Sequence, residues 1–494
     1  MTINSINFLL FFAAVFAIYY FALKEKTKAQ NLLLLAASYL FYGIINIKMV
    51  PLLFAATLAF WLLGFAINKA NESSEKRAFA LTAFGVALGV GVLVYFKYFN
   101  WFIESIIDFS RAIGLEANIH TLDILVPIGV SFFTFKLISY AIEIHRRKLT
   151  PTTDFVAFAT YIAFFPTIMA GPIDRPNGFL PQLAAKRQFD YALAVDGCRQ
   201  ILWGMFKKMV IADNLAAYID ASWSSIGDTT GANLLFVALL YPVQLYADFS
   251  GYSDMAIGTS KLLGFRVTRN FNYPFFGRNI AEFWRNWHMS LTGWLTDYVF
   301  MPLNIAFRNA GKLGTIVAVT ITFVLIGLWH GASLAYGLFG LYHGLLYIPM
   351  ILMGTMGKKR KYGTSVLGLP SLRDFAGMAM TFALVAFSLV IFRAGSVEVA
   401  WEFLQGAVSS PAGFFDSRRF DLAGTYQIRL KIAVVLAIAM FIAEWYTRHY
   451  EYVIANLGFL RSGAARMALY FFLLVVICTG KYADAGKIFI YQQF

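Results

Sequence analysis

The sequence has few charged residues and almost no cysteine. Of its 494 residues, 14% are charged and two are cysteines, whereas a soluble chain carries roughly 25% charged residues. Cys198 and Cys478 lie far apart, so neither a disulfide framework nor a cysteine zinc site is indicated. The chain also has no G-x-S-x-G and no H-E-x-x-H sequence, the signatures of a hydrolase nucleophile and of a zinc protease.

Long apolar stretches are abundant instead. Hydrophobic residues make up 59% of the chain, and about 20 mainly apolar residues suffice for a membrane-spanning helix. We therefore predict an all-α, polytopic membrane protein with about eleven or twelve membrane helices. The candidate spans are 4–23, 29–47, 50–68, 78–99, 122–144, 153–170, 232–250, 313–330, 334–353, 373–394, 429–448 and 466–480. No signal-peptide cleavage site follows the first apolar run, which we expect to stay in the membrane.

Two segments depart from a simple spanning helix. The stretch 153–170 is followed by AGPIDRP, whose prolines break helices, so we predict a re-entrant loop in which Asp174 and Arg175 form a neutralised pair. The segment 183–224 mixes basic and apolar residues, among them Lys207 and Lys208. We predict that it is helical and lies partly at the cytoplasmic surface.

The net charge of +14 is best explained by basic loops. Basic clusters follow the first, third and fifth spans, and a fourth occupies 358–361. Because such clusters stay in the cytoplasm, the N-terminus is expected to be periplasmic. A basic cytoplasmic face attracts anionic lipid or an anionic donor such as a coenzyme A thioester, and nucleic acid is a poor candidate partner for a membrane chain.

Polar groups concentrate between residues 241 and 297 and in the turn at 329–331. The ionisable ones are Asp248, Asp254, Arg285, His288, Asp297 and His330. Ionisable groups are costly in a membrane and usually mark a functional site. The alternative for Asp248 and Asp254 is a structural kink. In that case, their carboxylates pair with arginines at 266, 269, 278 or 285.

Two of the six histidines have suggestive surroundings. The pattern predicts a helix over 284–288, on which Trp284 and His288 share a face. His330 ends a long apolar run and is flanked by glycines at 327 and 331, which allow close approach of a ligand or backbone. The alternatives are a hydrogen-bonded core histidine for His330 and an interfacial histidine beside tryptophans for His288. His343 is a packing or supporting group, and His120, His145 and His449 lie near loops.

A histidine pair can catalyse acyl transfer. A buried imidazole can take a hydroxyl proton near neutral pH while the oxygen attacks a thioester. Direct transfer is favoured over an acyl-serine step because no nucleophile elbow is present. A metal site formed by the two histidines with Asp248 and Asp254 is the rival, although no metal-binding spacing supports it.

Six sequence segments resemble, in order, those of the membrane-bound O-acyltransferase family. They are PIGVSFFTFKLISY (127–140), AGPIDRPNGFLPQL (170–183), YADFSGYSDMAIGTSKLLGF (246–265), NIAEFWRNWHMSLTGWLTDYVFMPL (279–303), LIGLWHGAS (325–333) and IFIYQQF (488–494). The branch they resemble most contains bacterial alginate O-acetyltransferases.

The resemblance implies one integral membrane domain with a central funnel or tunnel. Its parts would be N-terminal helices (1–150), a catalytic core with re-entrant segments (151–355) and C-terminal helices (356–494). His330 matches the family's near-universal histidine, and His288 matches a second, more variable position. We assign substrate binding to Trp284, Arg285, Trp287, Trp294, Asp297, Trp329, Asp248 and Asp254.

The resemblance also implies a reaction. An acetyl group from acetyl-CoA, used as a substrate with no bound cofactor, would cross the bacterial inner membrane. A periplasmic serine-hydrolase-like (SGNH-type) acyltransferase would then pass it to an exopolysaccharide such as alginate. The alternatives are D-alanyl transfer from a carrier protein toward teichoic acid, and a transporter or channel that does no chemistry.

Overall fold

The computed structural model describes residues 1–115, 127–358, 368–409, 424–458, 460 and 462–480, with the backbone alone over 424–427. Within these residues the regular elements are helices and no strand is present, which confirms the predicted all-α class. His120, most of the basic cluster 358–361 and the segment 488–494 lie outside the described residues.

The α-helices are numbered here in chain order. Those of the first half of the chain are α1 (Ile6–Ala17), α2 (Thr27–Asn46), α3 (Val50–Ser73), α4 (Glu75–Ala112), α5 (Val130–His145), α6 (Phe155–Ala163), α7 (Pro176–Ala184), α8 (Tyr191–Met205), α9 (Asp213–Trp223) and α10 (Gly231–Leu262). Those of the second half are α11 (Ile280–Asn286), α12 (Met289–Leu295), α13 (Met301–Ala306), α14 (Gly311–His330), α15 (Leu334–Leu352), α16 (Leu372–Ala394), α17 (Val397–Ser409), α18 (Gly424–Thr447) and α19 (Gly463–Gly480).

The chain is a multi-pass membrane protein. Seven helical stretches of the described part are long and apolar enough to cross a bilayer, as judged from length and composition. They are Thr27–Ser73, Glu75–Ala112, Gly231–Leu262, Arg308–His330, Leu334–Leu352, Leu372–Ala394 and Gly463–Gly480. Each of the twelve predicted spans overlaps a helix of the structure. The stretch Thr27–Ser73 includes two of these helices, α2 and α3.

The described chain divides into two compact units. One comprises residues 1–201 with 255–268, and the other comprises 202–254 with 269–494. The predicted subdivision at residues 150 and 355 stays a prediction. Both histidines of interest and all eight residues assigned to substrate binding belong to the second unit.

In the first unit, the predicted interruption after span 153–170 is present but begins earlier. Helix α6 ends at Ala163, and the irregular segment 164–174 that follows is buried. Side chains of other helices bond to this region. The ammonium of Lys136 donates to the carbonyl of Tyr161 (3.1 Å) and to Thr167 Oγ1 (3.2 Å), and Ser38 Oγ accepts from the N–H of Phe165 (3.1 Å). Buried broken backbone needs such partners. They come from α5 and α2, which sequence spacing does not reveal.

The Asp174 carboxylate is held by a residue far away in the sequence. Its Oδ1 accepts hydrogen bonds from the backbone N–H and from the hydroxyl of Thr268, both at 2.7 Å. Thr268 was not among the partners expected from the sequence, which pointed to the adjacent Arg175. The interrupted segment is therefore attached to the irregular stretch that follows α10.

In the second unit, glycines bring α14 and α15 into backbone contact. A Cβ atom on Gly327 would lie 2.0 Å from the carbonyl oxygen of Tyr336, and one on Gly340 would lie 2.2 Å from that of Phe323. Only glycine permits this approach. The close contact fixes the end of α14, where His330 lies.

Candidate active site

His330 is the last residue of α14 and is buried, with 5% of its surface exposed. Its imidazole is enclosed by aromatic rings. The ring centroids of Trp329 and Phe392 lie 4.6 Å and 4.9 Å away, and that of Phe339 lies 6.5 Å away. The helix ends here because Gly331 adopts an extended conformation. An imidazole in these surroundings is shielded from bulk water and held in place by packing.

His288 lies in a tight turn between α11 and α12, so the predicted helix over 284–288 is wrong. Helix α11 ends at Asn286, and His288 has left-handed backbone angles (φ 45°, ψ 52°). Trp284 and His288 therefore do not share a helical face. A left-handed conformation is uncommon for a residue other than glycine and persists only where the surroundings impose it.

Asn270 imposes this turn, although nothing in its sequence context marks it as a site residue. Its carbonyl oxygen accepts from the N–H of Met289 (2.7 Å), and its Oδ1 accepts from Ser290 Oγ (2.5 Å). Its Nδ2 donates to Ser253 Oγ at 3.1 Å. Asn270 is fully buried, so a buried amide connects α10 to the turn that carries His288. The contact is non-local, and no sequence spacing indicates it.

The His288 imidazole is neutral at physiological pH. It is almost entirely buried, and burial lowers its pKa to about 3 by disfavouring the cation. The ring of Phe249 stands edge-on at 4.7 Å. A neutral imidazole carries one N–H donor and one acceptor nitrogen, so His288 is suited to donating a hydrogen bond rather than to storing a proton.

Trp329 brings the two histidines into one neighbourhood. Its ring centroid is 4.6 Å from that of His330 and 6.1 Å from that of His288. The separation of the two imidazole centroids therefore cannot exceed the sum of these distances. Residues 42 positions apart in sequence thus lie against a single indole.

A cavity of about 370 Å³ lies next to this neighbourhood. Three of the residues predicted to bind substrate line it, namely Trp284, Arg285 and Asp297. Hydroxyl groups of Thr292 and Thr296 add polarity to an otherwise apolar wall. Neither imidazole of the proposed pair is among the lining residues. Trp284 is a lining residue whose ring also contacts Phe339, a neighbour of His330.

The remaining predicted ligands have protein neighbours. Trp287 packs edge-on against Phe271 at 5.1 Å in an aromatic core, and Trp294 packs on Tyr298 at 4.9 Å. Both indoles are about 5% exposed. Their role in substrate binding stays a prediction.

Asp248 and Asp254 form buried ion pairs. Asp254 pairs with Lys207 (2.7 Å) and Asp248 with Lys208. Neither lysine was among the partners expected from the sequence, and both are buried, with Lys207 and Lys208 3% and 5% exposed. The predicted placement of their segment partly at the cytoplasmic surface stays a prediction. The segment 183–224 is largely helical as predicted. A π-helical turn over Phe206–Ala212 places both ammonium groups against α10.

No metal centre is evident in the part of the chain that the structure describes. No group of three or more His, Cys, Asp or Glu side chains is placed to hold an ion there. The arrangement around Trp329 instead offers two imidazoles in an aromatic setting beside a mixed polar and apolar cavity. Such a site supports proton transfer and hydrogen bonding to a reacting carbonyl.

Comparison with known proteins agrees with this chemistry. The model of the membrane-bound O-acyltransferase family matches residues 34–367. The chain is 35% identical to the probable alginate O-acetylase of Pseudomonas aeruginosa, over 89% of this chain and 81% of the relative. It is 36% identical to that of Azotobacter vinelandii, over 91% and 86%. It is also 32% identical to the teichoic acid D-alanyltransferase of Bacillus subtilis, over 54% of this chain and 68% of the relative.

Proposed function

Since the chain belongs to the membrane-bound O-acyltransferase family, and is an acyltransferase, we propose that it O-acetylates an exopolysaccharide such as alginate. The donor would be acetyl-CoA on the cytoplasmic side of the bacterial inner membrane. A periplasmic acyltransferase of the serine-hydrolase-like type would accept the group and pass it to the polymer. Similarity to probable alginate O-acetylases over most of both chains supports the polymer class.

His330 is the general base in this proposal. Its imidazole takes the proton of the acceptor hydroxyl as that oxygen attacks the thioester carbonyl. The carbon–sulfur bond then breaks, and the imidazolium returns its proton to the departing coenzyme A sulfur. The single observation that carries this assignment is the burial of His330 at a helix end beside Trp329 and the second histidine.

His288 assists as a hydrogen-bond donor. Its pKa of about 3 keeps it neutral, so its N–H can be directed at the carbonyl oxygen where negative charge develops. Neutral donors in a water-poor site stabilise that charge effectively. The left-handed turn anchored by Asn270 keeps the ring in one orientation before the substrate arrives.

The cavity beside Trp284 is the proposed binding site. Arg285 and Asp297 offer charges of both signs at its polar side, and Trp284 forms part of its apolar wall. A thioester donor combines an anionic nucleotide with an apolar, amide-bearing arm, which suits such a lining. Trp329 would orient the reacting group between the imidazoles.

The test uses purified protein in liposomes with acetyl-CoA labelled in the acetyl group. Wild type should release free coenzyme A and transfer label to the acceptor. His330→Ala should lower the rate by about 10²–10⁴-fold, the usual contribution of a general base. His288→Ala should lower kcat more than it raises the KM for the donor.

The matched control is His449→Ala, since His449 is an exposed histidine outside the site. It should keep full activity. Near-normal transfer by folded His330→Ala would refute the general-base assignment. Absence of coenzyme A release by wild type, with binding of a small acidic carrier protein, would favour the alternative D-alanyl transfer suggested by the Bacillus subtilis relative.

Two further parts of the proposal concern the membrane. The basic loops after the first, third and fifth predicted spans support a periplasmic N-terminus. Membership of an acyltransferase family favours an enzyme over the transporter alternative. Release of coenzyme A separates the two classes because a transporter leaves the thioester intact.

A further inference from the structure

A third buried histidine, His343, is bonded on both ring nitrogens. It lies in the middle of α15 and is 1% exposed. Trp284 Nε1 donates to His343 Nδ1 at 3.1 Å, and His343 Nε2 lies 3.0 Å from Ser388 Oγ. These two bonds join α11, α15 and α16 through one imidazole.

The direction of each bond in this chain is determined by chemistry. The indole N–H can only donate, so Nδ1 of His343 must accept and carries no proton. The proton of the neutral ring is then on Nε2 and is donated to Ser388 Oγ. Ser388 satisfies its own hydrogen by donating to the carbonyl oxygen of Val385 at 2.7 Å. Every polar hydrogen in this series of hydrogen bonds, which runs from Trp284 through His343 and Ser388 to the carbonyl of Val385, has an acceptor.

This arrangement excludes a proton-transfer role at Nδ1. A protonated His343 would direct an N–H at the indole N–H of Trp284, and two donors would face each other. The imidazole must stay neutral for the bond to Trp284 to persist. His343 is therefore suited to holding its neighbour in place.

The bond to His343 acts on Trp284, whose ring lines the cavity of about 370 Å³. The ring centroids of Trp284 and Phe339 lie 6.5 Å apart. Those of Phe339 and His330 also lie 6.5 Å apart. The indole also packs edge-on against Phe323, with ring centroids 5.1 Å apart. The bond to His343 adds a directional contact that fixes where the indole N–H points.

We propose that His343 is a positioning residue that, by accepting the indole N–H of Trp284, holds this ring in a fixed position where the substrate cavity meets the aromatic cluster around His330. The inference rests on the proposed function, because it names that cavity as the substrate site. His343 itself touches no reacting atom.

The test is a double-mutant cycle on acetyl transfer from labelled acetyl-CoA. His343→Phe keeps an aromatic ring but removes the acceptor. It should lower kcat/KM by about ten-fold, the scale set by a buried donor that loses its acceptor. Trp284→Phe should cause a similar loss. The kcat/KM of the double variant should be no more than about two-fold below that of the less active single variant, since both substitutions remove the same hydrogen bond.

Two readouts distinguish positioning from a general structural role. His343→Asn, which offers an oxygen near the position of Nδ1, should restore most of the activity lost in His343→Phe. The pH profile of kcat/KM should keep its shape in all His343 variants. Multiplicative losses in the double variant, or a changed pH profile, would overturn the proposal. His449→Phe is the control for loss of a histidine elsewhere.

A measurement that needs no activity separates this inference from the proposed reaction. Protein labelled with ¹⁵N-tryptophan has ten tryptophans, and the indole signal absent from Trp284→Phe identifies Trp284. In His343→Phe that signal should shift upfield and its N–H should exchange faster. An unchanged signal refutes the bond even if transfer occurs. A shifted signal with no transfer by wild type supports the bond and refutes the reaction. His343→Leu, which also removes the acceptor of the Trp284 N–H, provides the same test if His343→Phe does not fold.

Discussion

The ion pair between Lys207 and Asp254 offers a direct test of whether the buried carboxylates are structural. Lys207 Nζ lies 2.7 Å from Asp254 Oδ2 and 2.9 Å from Ser250 Oγ. The side chains are 4% and 13% exposed. Lys207→Met preserves much of the length and volume of the side chain but removes the charge, so Asp254 loses this counter-charge in a low-dielectric setting.

The expected magnitude follows from burial. Removing one partner of a buried pair typically costs about 3–5 kcal/mol, because the remaining charge loses a close counter-charge where water solvates it poorly. Asp254→Asn should cost less, about 1–3 kcal/mol, since Lys207 keeps Ser250 as an acceptor. The double variant carries neither charge and should recover at least about 2 kcal/mol relative to the sum of the two single losses.

The measurement is the free energy of unfolding of each detergent-solubilised variant, from titration with SDS. Acetyl transfer is measured in parallel. Lys431→Met is the matched control, because Lys431 is exposed and its replacement should change stability by less than about 0.5 kcal/mol. If the double variant loses as much stability as the two single variants together, the two charges do not stabilise each other, and the electrostatic reasoning is refuted. Loss of transfer in Asp254→Asn with unchanged stability would instead support the predicted contact between Asp254 and substrate.

Two further substitutions test the packing and the broken helix. Gly327→Ala places a methyl group against the backbone oxygen of Tyr336 and should cost about 1–3 kcal/mol or more of unfolding free energy. Gly337→Ala is the control and should be tolerated, because the nearest neighbour of its methyl group would be 3.7 Å away. Equal losses of the two variants in SDS titration would contradict the close backbone contact. Burial raises the pKa of the Asp174 carboxyl, so Asp174→Asn should cost under about 1 kcal/mol. Asp174→Ala removes the acceptor of both hydrogen bonds from Thr268 and should cost about 1–3 kcal/mol. Equal stabilities of the two variants would refute this.

The predicted helices were recovered because hydropathy is a local property. A run such as 313–330 is apolar enough to specify its own helix, and the structure places α14 over Gly311–His330. Backbone hydrogen bonds must be satisfied within such a segment in a bilayer, which leaves few alternatives. Sequence reasoning therefore succeeded wherever composition alone determined the element.

It failed where a distant residue decides the local conformation. The pattern around Trp284 and His288 has helical spacing, yet the chain turns there because Asn270, a residue outside the pattern, captures the N–H of Met289. Lys207 and Lys208 belong to a segment that was expected to lie partly at a surface, yet both are buried. Their partners Asp254 and Asp248 lie 47 and 40 residues further along the chain on α10, and nothing in the spacing of the lysines indicates this.

The difference between local composition and distant contacts also applies to the candidate site. Its residues could be located from the sequence, but their geometry could not be derived from it. A histidine within an apolar sequence is energetically unfavourable in a membrane, and this usually marks a functional site. The sequence does not show which contacts hold the imidazole in place. His330 is held by a glycine-mediated helix contact, His288 by a buried amide, and Trp284 by His343. In each case the supporting contact comes from another part of the chain. If these supports matter as argued, removing one should impair transfer while the reacting groups stay in the chain, whereas a site defined by the two imidazoles alone would tolerate it.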